Sequence, residues 1–563
     1  MILPGAPSGR TRVRATEAPT GYDAIPTRVQ HLDADFTHAG AASSALSPVR
    51  PIMLRTLRAP AAIVAAVPLL VLLLVCVSAR AAGPDGDWPM ATLDYANTRY
   101  SPLTQIDTRN VPALKVEFTF STGVARGQEA APVVVGDTMY LVTPFPNVVY
   151  ALDLSRAGAP TKWKYEARPK PAAQGVACCD VVNRGVVFWE GKVIFNTLDG
   201  RTIALDANDG KRLWETQLAD INIGETITMA PMVVKGKVLV GNSGGEFGVR
   251  GWLVALDADT GKTAWKAWST GPDRDVLIGP AFKPYYASDR GKDLGRSTWP
   301  PEAWKIGGGT VWGWISYDPE LDLIFYGTAN AGPWNAEQRP GDNKWTAGMF
   351  ARDPDDGQAR WYYQFSPHDL FDYDAINESV LVDLSIGGRT RPVIVRPERN
   401  GYVYVMDRAT GQVLSADAFA PVNAIERVDL KTGRPHWNPE KLPASGKVTR
   451  QICPASPGAK DWNPSAWSPQ TKLLYVPHNN LCMDWQPNEV NYIAGTPYVG
   501  ADAVFYAGPG GHRGLFTAWD PVARKPAWQV KEDLPVYSGT LATAGGLVFY
   551  GTMDGWFKAL GAR

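Results

Sequence analysis

Short apolar runs separated by turn-forming residues recur along most of the chain. Typical runs lie at residues 147–152, 192–195 and 402–406 and are rich in Val, Ile, Tyr and Phe. Such runs, bounded by Gly, Asp and Asn, predict β-strands. No long segment has the apolar spacing of an amphipathic helix. The pattern therefore predicts an all-β protein built from many short strands.

A repeated motif connects these runs. In each copy, strand-like residues precede an Asp-x-x-x-Gly turn, and a Trp about ten positions after the first Ala begins the next strand. Four-stranded units with a recurring aromatic residue are typical of a β-propeller, in which the Trp would dock between neighbouring blades. A large β-sandwich array is the alternative. The motif Ala-Leu-Asp-x-x-x-Gly-Lys-x-x-Trp occurs at 204–214 and 255–265, looser copies at 351–361 and 518–528, a stretched copy at 151–163, and a copy without Trp at 405–411.

The final copy of the motif departs from this pattern. It begins at Phe557, Gly561 replaces the usual Asp, and no Trp follows before the sequence ends at Arg563. We therefore expect the last blade to be incomplete.

Composition agrees with a turn-rich β protein. The chain has 55 Gly, 46 Pro and 21 Trp among 563 residues, as expected for many turns and aromatic packing between short strands. Basic and acidic residues number 56 each, which gives a formal net charge of +0. This balance argues against nucleic acid as a partner.

Two segments precede the predicted propeller. Residues 1–52 are rich in Pro, Arg and Ala, show no helical or strand period, and are interpreted as disordered or as a misassigned extension. Residues 53–81 contain a basic start at Met53, an apolar run and an Ala-x-Ala site, the pattern of a secretory signal peptide. A membrane anchor is the alternative, but the run is short for a bilayer span. We expect export, no stable membrane span after cleavage, and one propeller domain over 82–563.

The cysteines fit an oxidising compartment. Cys178 and Cys179 are adjacent, so their Cα atoms lie about 3.8 Å apart across a trans peptide, less than most disulfides require. A bond between them would close a small rigid ring suited to cover a planar cofactor, and two buried thiols are the alternative. If Cys76 is lost with the signal peptide, four cysteines remain. We expect the pairs Cys178–Cys179 and Cys453–Cys482.

Oxygen-bearing side chains form the second candidate group. Asp372 and Asp374 lie two positions apart, so in an extended segment both face one side. Together with Glu246 and Asn330 they offer carboxylate and amide oxygens, which suit a hard cation. Taken singly, each residue is more typical of a turn. With only six His and no zinc motif, zinc is not expected, and His368 is interpreted as structural.

Several longer motifs resemble those of the pyrroloquinoline quinone (PQQ) dependent alcohol dehydrogenases, and among them the lanthanide-dependent methanol dehydrogenase type. The resemblance covers the chain from residue 88 onward and implies an eight-bladed propeller with the quinone in its central channel. The motifs that carry it include Tyr100-Ser-Pro-Leu-Thr-Gln-Ile, the Cys178-Cys179 run, Gly308-Gly-Thr-Val-Trp-Gly-Trp, Arg339-Pro-Gly-Asp-Asn-Lys-Trp and Tyr506-Ala-Gly-Pro-Gly-Gly-His-Arg.

The resemblance implies a role for each candidate residue. The Cys178–Cys179 ring covers one face of the quinone, and Trp312 stacks on the other. Arg399 bonds the reactive quinone oxygen. The polar edge of the cofactor is lined by Glu129, Arg184, Thr228, Ser243, Gly244, Gly245, Thr310 and Asn463. The metal is held by Glu246, Asn330, Asp372 and Asp374.

The resemblance also implies the chemistry. A methanol or other small primary alcohol is oxidised to the aldehyde by hydride transfer to PQQ, with the metal as Lewis acid. Asp372 acts as general base and Arg399 stabilises developing charge. Electrons pass to a c-type cytochrome in the periplasm. Calcium-type relatives have a small residue at the position of Asp374, and a third carboxylate fits a trivalent ion better, so we expect a lanthanide, with calcium as the alternative.

Two departures from the family leave a second interpretation open. The family continues beyond the point where this sequence stops, which indicates an imperfect gene model or a truncation. Tyr537 stands where relatives have a Trp near the cofactor. A non-catalytic or degenerate periplasmic propeller scaffold is therefore the alternative function. Within the enzyme class, larger primary alcohols or aldehydes are the runner-up substrates, and a homodimer is an expectation from the family alone.

Overall fold

The computed structural model describes residues 12–15 and 86–563. The predicted signal peptide at 53–81, and the predicted extension at 1–52 apart from its residues 12–15, lie outside the described residues. None of the helices in the described part of the chain has the length and apolar content needed to cross a bilayer.

Six four-stranded antiparallel sheets form blades 1 to 6 in chain order. Blades 1 to 5 each use four consecutive strands, and blade 6 carries an insertion between its second and third strands. The strands are Val133–Val135, Thr138–Val142, Val148–Asp153 and Thr161–Glu166 in blade 1; Val186–Trp189, Lys192–Asn196, Arg201–Asp206 and Arg212–Gln217 in blade 2; Met232–Val234, Lys237–Gly241, Trp252–Asp257 and Thr263–Trp268 in blade 3; Ile315–Asp318, Leu323–Thr328, Gly348–Arg352 and Ala359–Gln364 in blade 4; Val380–Ile386, Arg389–Pro397, Tyr402–Asp407 and Val413–Ala418 in blade 5; and Ala466–Ser468, Leu473–Asn479, Gly514–Asp520 and Lys525–Glu532 in blade 6.

Blade 7 differs from the others. Its three antiparallel strands are Thr540–Thr543, Leu547–Gly551 and Trp556–Gly561. Tyr100–Ser101 pairs in parallel with the first strand, and Arg12–Ala15 pairs in parallel with the third. Residues 12–15, within the predicted extension, are thus a strand defined by its pairing with the edge of this sheet. The described residues supply seven blades, and the eighth implied by the resemblance is not among them.

Smaller elements decorate the blades. Leu481–Pro487 and Ala501–Ala507, in the blade 6 insertion, form a sheet with Thr449–Ile452, and the predicted Cys453–Cys482 disulfide joins this region. Ile425–Asp429 and Arg434–Trp437 form a two-stranded ribbon. The short α-helices are Asp273–Val276 and Leu294–Ser297, and the 3-10 helices are Val111–Ala113, Pro171–Gly175, Ile221–Ile223, Gly245–Phe247, Ala287–Asp289, Ala303–Ile306, Ala336–Gln338 and Pro439–Lys441.

The Trp of the repeated motif joins neighbouring blades, as predicted. Trp214 of blade 2 donates its indole N–H to the backbone oxygen of Ala258 in blade 3 at 3.0 Å. A Cβ on Gly261, which has φ +70°, would lie 2.6 Å from the Trp214 ring, so this turn needs glycine both for its conformation and for the close approach. Equivalent contacts link blades 1 to 2, 3 to 4 and 4 to 5 through Trp163, Trp265 and Trp361.

The direction of the strands separates two ends of the propeller. Because strands in a blade are antiparallel, the start of the first strand and the end of the second lie at one end. The Asp-x-x-x-Gly turn between the third and fourth strands lies at the other. The first strands are mostly buried, whereas fourth strands such as Arg212–Gln217 are largely exposed, so the first strands face the centre of the ring.

Candidate functional site

The predicted site residues lie in two kinds of segment at the same end of the propeller. One kind leads into the first strand of a blade, and the other joins its second and third strands. Residues far apart in sequence are thereby gathered around the central channel. The first kind carries Glu129, Cys178, Cys179, Arg184, Thr228, Thr310, Trp312, Asp372, Asp374 and Asn463, and the second carries Ser243, Gly244, Gly245, Glu246, Asn330 and Arg399.

A polar network surrounds the Trp312 ring. Arg184 donates from Nη1 to the Thr228 hydroxyl at 2.9 Å, and that hydroxyl lies 2.8 Å from the Ser243 hydroxyl. Nη2 of Arg184 is 3.0 Å from a Glu129 carboxylate oxygen. The Arg184 guanidinium lies 4.7 Å from the centroid of the Trp312 ring. These five residues, predicted from sequence, therefore form one cluster of donors and acceptors beside an aromatic face.

The Cys178–Cys179 disulfide is present beside this network. Burial raises the pKa of Glu129, and the carboxylates of Asp461 and Asp180 raise it further while Arg184 opposes them. Asp180 immediately follows the cysteine ring, so the ring and the Trp312 network belong to one region of the channel. A rigid apolar ring and an aromatic face near charged groups suit a planar, anionic ligand.

The turn that carries Ser243 and Glu246 requires glycine. Gly244 has φ +115°, and a Cβ there would lie 2.3 Å from the backbone oxygen of Gly224. A Cβ on Gly245 would lie 3.3 Å from Oδ1 of Asn330 and 3.5 Å from the Thr310 hydroxyl. This tight turn therefore brings Gly245, the residue before Glu246, next to Asn330 and Thr310, which come from blade 4.

Arg399 lies at the centre of an acidic group. Its Nη2 is 3.0 Å from Asp374 Oδ2 and 2.8 Å from Asp461 Oδ1, and its Nη1 is 3.6 Å from Asp372 Oδ2. Burial lowers the pKa of Arg399, but these carboxylates outweigh burial and hold the pKa above its usual value. The guanidinium also lies 5.6 Å from the centroid of the Trp312 ring. Arg399 thus connects the acidic group to the polar network.

The carboxylates in this group disfavour one another's charge. Burial raises the pKa of Asp374 to about 7, with Glu246 adding to the shift and Arg399 opposing it. Burial, Asp374 and Glu246 also raise the pKa of Asp372 well above its usual range, although Arg399 opposes them. A cation placed among these side chains would favour their charged forms.

The donor atoms fit a metal ion in their chemistry. Oδ1 of Asp372 and Oδ1 of Asn330 are buried and accept no hydrogen bond, which is costly unless another group satisfies them. Asn330 also donates its backbone N–H to Asp374 at 2.6 Å. Hard cations bind such oxygens. Within residues 86–563, however, no three His, Cys, Asp or Glu side chains converge closely enough to share one ion, and Arg399 lies against both Asp372 and Asp374.

Three residues refine the predictions at this site. Asn463 donates its amide to the backbone oxygens of Pro477 and Val536 at 3.0 and 2.7 Å, so its amide nitrogen serves the backbone. Asp461, two residues earlier, contacts Arg399 and was missed by the sequence reasoning. Asp461 directly precedes Trp462 in the sequence, and the Trp462 ring lies 5.2 Å from the Arg184 guanidinium. This neighbouring Trp is the signal that could have identified Asp461.

Two further residues behave as the sequence suggested. Tyr537 packs in one cluster with Trp312, Trp314 and Trp462, and burial together with Asp461 raises its pKa above the usual value. It therefore packs in the same cluster as the Trp312 ring. His368 bonds the backbone oxygen of Gly341 through Nδ1 at 2.8 Å, in agreement with a structural role.

Comparison with known proteins agrees with this geometry. Residues 88–426 match the PQQ family of glucose/ethanol/alcohol dehydrogenase β-propeller domains. The chain is 52% identical over 479 residues to the lanthanide-dependent methanol dehydrogenase of Methylacidiphilum fumariolicum (strain SolV), covering 84% of this chain and 78% of that protein. It is 42% identical over 489 residues to methanol dehydrogenase [cytochrome c] subunit 1 of Methylobacterium organophilum, covering 84% and 78%.

A solved structure shows the same arrangement. The europium-containing methanol dehydrogenase superposes with a TM-score of 0.84 at 51% sequence identity, covering 86% of this chain and 84% of that one. Matching family, sequence and fold lead to one conclusion: the chain belongs to the PQQ-dependent alcohol dehydrogenases, a family of β-propeller oxidoreductases.

Proposed function

We propose that this protein oxidises methanol, or another small primary alcohol, to the aldehyde in the periplasm, using PQQ and a lanthanide ion. The observation that carries the proposal is the acidic group around Arg399. It gathers Asp372, Asp374 and Asp461 on one guanidinium, and Oδ1 of Asp372 and Oδ1 of Asn330 are buried and accept no hydrogen bond. A bound cation would satisfy both oxygens.

The polar network supplies the binding site for the cofactor. Arg184 would pair with an acidic group of PQQ, and Thr228 and Ser243 would bond its polar edge. Trp312 would stack on one face, and the Cys178–Cys179 ring would cover the other. Bound PQQ supplies the oxidising power by accepting a hydride from the alcohol. The role of the protein is to orient the alcohol and to exclude water.

Asp372 would take the proton from the alcohol hydroxyl. Its Oδ1 is buried and free of hydrogen bonds, whereas its backbone oxygen is held by Arg399 at 3.0 Å. The residue adopts φ +64°, a conformation that is uncommon outside glycine and recurs at functional sites. Arg399, surrounded by three carboxylates, would keep its positive charge and stabilise negative charge that develops nearby.

Glu246, Asn330, Asp372 and Asp374 would hold the metal ion, which would act as a Lewis acid. Three carboxylates carry enough negative charge to favour a trivalent ion over a divalent one. The relative from Methylacidiphilum fumariolicum carries the name lanthanide-dependent, which supports the same choice. Calcium is the competing ion.

Location and electron acceptor follow from the signal peptide predicted at residues 53–81. A secreted dehydrogenase needs a periplasmic acceptor, and the relative from Methylobacterium organophilum is named for cytochrome c. We therefore propose a c-type cytochrome as the acceptor, and a homodimer as the form that docks it.

The deciding experiment is a dye-linked methanol oxidation assay on protein expressed from Met53 and supplied with PQQ plus lanthanum or calcium. Activity with lanthanum and little with calcium supports the whole proposal. Activity with calcium alone would retain the dehydrogenase and reject the lanthanide. A folded protein that is inactive with either ion would favour the non-catalytic scaffold.

A further inference from the structure

A loop from blade 6 crosses the site end of the propeller. Residues 488–500, here called the bridging segment, connect the strands Leu481–Pro487 and Ala501–Ala507 of the blade 6 insertion. Its own ends are closed by a hydrogen bond from the Asn488 N–H to the Gly500 oxygen at 2.8 Å. The segment is otherwise mostly exposed, but its contacts fall on two loops that carry predicted metal ligands.

The first contact is with the turn that carries Glu246 in blade 3. The backbone N–H of Tyr498 donates to the backbone oxygen of Glu246 itself at 2.6 Å. The rings of Tyr492 and Tyr498 pack edge to face with centroids 5.7 Å apart. Both rings sit against Gly248, where a Cβ would lie 2.8 Å from Tyr492 and 3.1 Å from Tyr498. The aromatic pair therefore covers the end of the Glu246 turn.

The second contact is with the loop that follows Asn330 in blade 4. The backbone N–H of Trp334 donates to the backbone oxygen of Val499 at 2.6 Å. Gln338 bonds Val490 twice, giving its amide N–H to the backbone oxygen at 2.9 Å and accepting from the backbone N–H at 3.1 Å. Asn335 also donates its amide to the Asn488 backbone oxygen at 3.0 Å, so three hydrogen-bonded pairs of residues fasten this side of the segment to blade 4.

We propose that the bridging segment is a positioning element that holds the Glu246 turn at a set distance from the Asn330 loop. The inference rests on the proposed function, because it assumes that these two residues bind one metal ion. The bridge adds a second link to the direct packing of Gly245 against Asn330. Partners that orient metal ligands commonly change metal affinity about 10-fold to 100-fold when they are lost.

The experiment measures europium(III) binding to the PQQ-loaded protein by luminescence titration and luminescence lifetime. The double variant Tyr492→Ala/Tyr498→Ala removes the aromatic pair. Tyr492→Phe/Tyr498→Phe preserves the packing and serves as the rescue. Ile493→Ala is the matched control, since Ile493 is 64% exposed on the same segment. Gln338→Ala removes both hydrogen bonds to Val490 on the blade 4 side and keeps the test valid if the double variant fails to fold.

We expect the double alanine variant to bind europium about 10-fold to 100-fold more weakly and to show a shorter lifetime, because water replaces a displaced carboxylate. Gln338→Ala should show a smaller loss, and the phenylalanine and Ile493 variants should match the wild type. Amide hydrogen exchange of metal-free protein should speed up at residues 245–248 in the double variant. Equal europium affinity and equal exchange in folded wild type and variants would refute the bridge alone. Failure of the wild type to bind europium would refute the proposed metal site. Even then, faster amide exchange at residues 245–248 in the double alanine variant would support the bridge.

Discussion

The two ends of the propeller use the same blades in opposite ways. At the end with the Asp-x-x-x-Gly turns, one contact repeats from blade to blade: a Trp of one blade packs on the Gly of the next. At the site end, equivalent segments carry Arg184, Thr228, Trp312 or Asp372, each with a different role. The comparison shows that repetition provides the frame, and that variation at one end of it provides the chemistry.

An exception at the repetitive end supports this distinction. Blade 5 has Ser415 where the motif has Trp, and the facing turn of blade 6 has Arg524 where the motif has Gly. Because no Trp ring packs against this turn, a side chain fits at the position that is Gly in the motif. Arg524 adopts φ +61° there. It bonds both oxygens of Asp417 at 2.8 and 2.7 Å. An ion pair therefore replaces the Trp–Gly contact at this blade boundary.

The boundary between blades 6 and 7 uses a buried ion pair, in which Lys558 Nζ of blade 7 lies 2.7 Å from a Glu532 oxygen of blade 6. Trp528 occupies the motif position in blade 6, but its indole nitrogen is buried without a hydrogen-bond partner among the described residues. Blade 7 offers no Asp-x-x-x-Gly turn to accept it. The hydrogen bond from the Tyr550 hydroxyl to Glu532 at 2.6 Å and the stacked rings of Phe516 and Tyr550, 4.0 Å apart, also join the two blades.

The largest effect is expected at the site end. Asp372→Asn should lower the rate of alcohol oxidation by about 10²-fold to 10⁴-fold, because the amide cannot take the proton. The thermal unfolding temperature should change little, since the new side chain has the same shape. Glu426→Gln, an exposed change in the ribbon, is the control. Near-normal turnover by Asp372→Asn would remove this residue from the role of base.

Loss of a Trp at the opposite end should act on stability instead. Trp214→Ala should lower the free energy of unfolding by about 3–5 kcal/mol, because it leaves a cavity between blades 2 and 3. Leu213→Ala, at a neighbouring exposed position, should be nearly neutral. Denaturant unfolding measures the difference. A selective loss of turnover in fully folded Trp214→Ala protein would contradict the separation of the two ends.

A smaller effect is expected from the partner glycine. Gly261→Ala should destabilise the fold by about 1–3 kcal/mol, through overpacking against Trp214 and a left-handed backbone. Gly236 has φ +72° and no atom within 4 Å of its Cβ position, so Gly236→Ala isolates the backbone cost. Equal unfolding midpoints for these two variants would show that contact with the ring is unimportant.

The smallest effect should come from the ion pair that replaces the motif. Arg524→Ala should change the free energy of unfolding by at most about 1 kcal/mol, because the pair is partly exposed and screened by salt. Unfolding curves at low and high salt measure it, with the difference from wild type shrinking at high salt. A loss as large as that of Trp214→Ala would show that the ion pair is equivalent to the Trp–Gly contact.

Much of the fold could be predicted because its signals are local. Each motif places strand, turn and Trp within one short stretch, so the blades and the docking of Trp between them follow from the sequence. The two disulfides followed from the number and spacing of the cysteines, and both are present. The strand Arg12–Ala15 was not predicted, because its pairing with blade 7 depends on a partner at the other end of the chain.

The candidate site was predicted in part. Arg184, Thr228, Ser243 and Trp312 do converge, whereas Asp461 was missed. The amide nitrogen of Asn463 bonds the backbone, and its Oδ1 is buried without a hydrogen-bond partner among the described residues. Asp461 and Asn463 are two positions apart, and only their orientation decides which of them faces Arg399. The resemblance identified the segment, and the packing identified the side chain.

The sequence by itself determined the repeat, the type of fold, the family and the inventory of chemical groups, because each is written in short stretches of residues. The tertiary structure alone decided which groups share a site. It placed Asp461 and Arg399 together, turned the Asn463 amide nitrogen toward the backbone of Pro477 and Val536, and laid residues 488–500 across the Glu246 and Asn330 loops. The physical reason is that hydrogen bonds and charge pairs depend on distances across the ring, and closing the blades around the channel sets those distances.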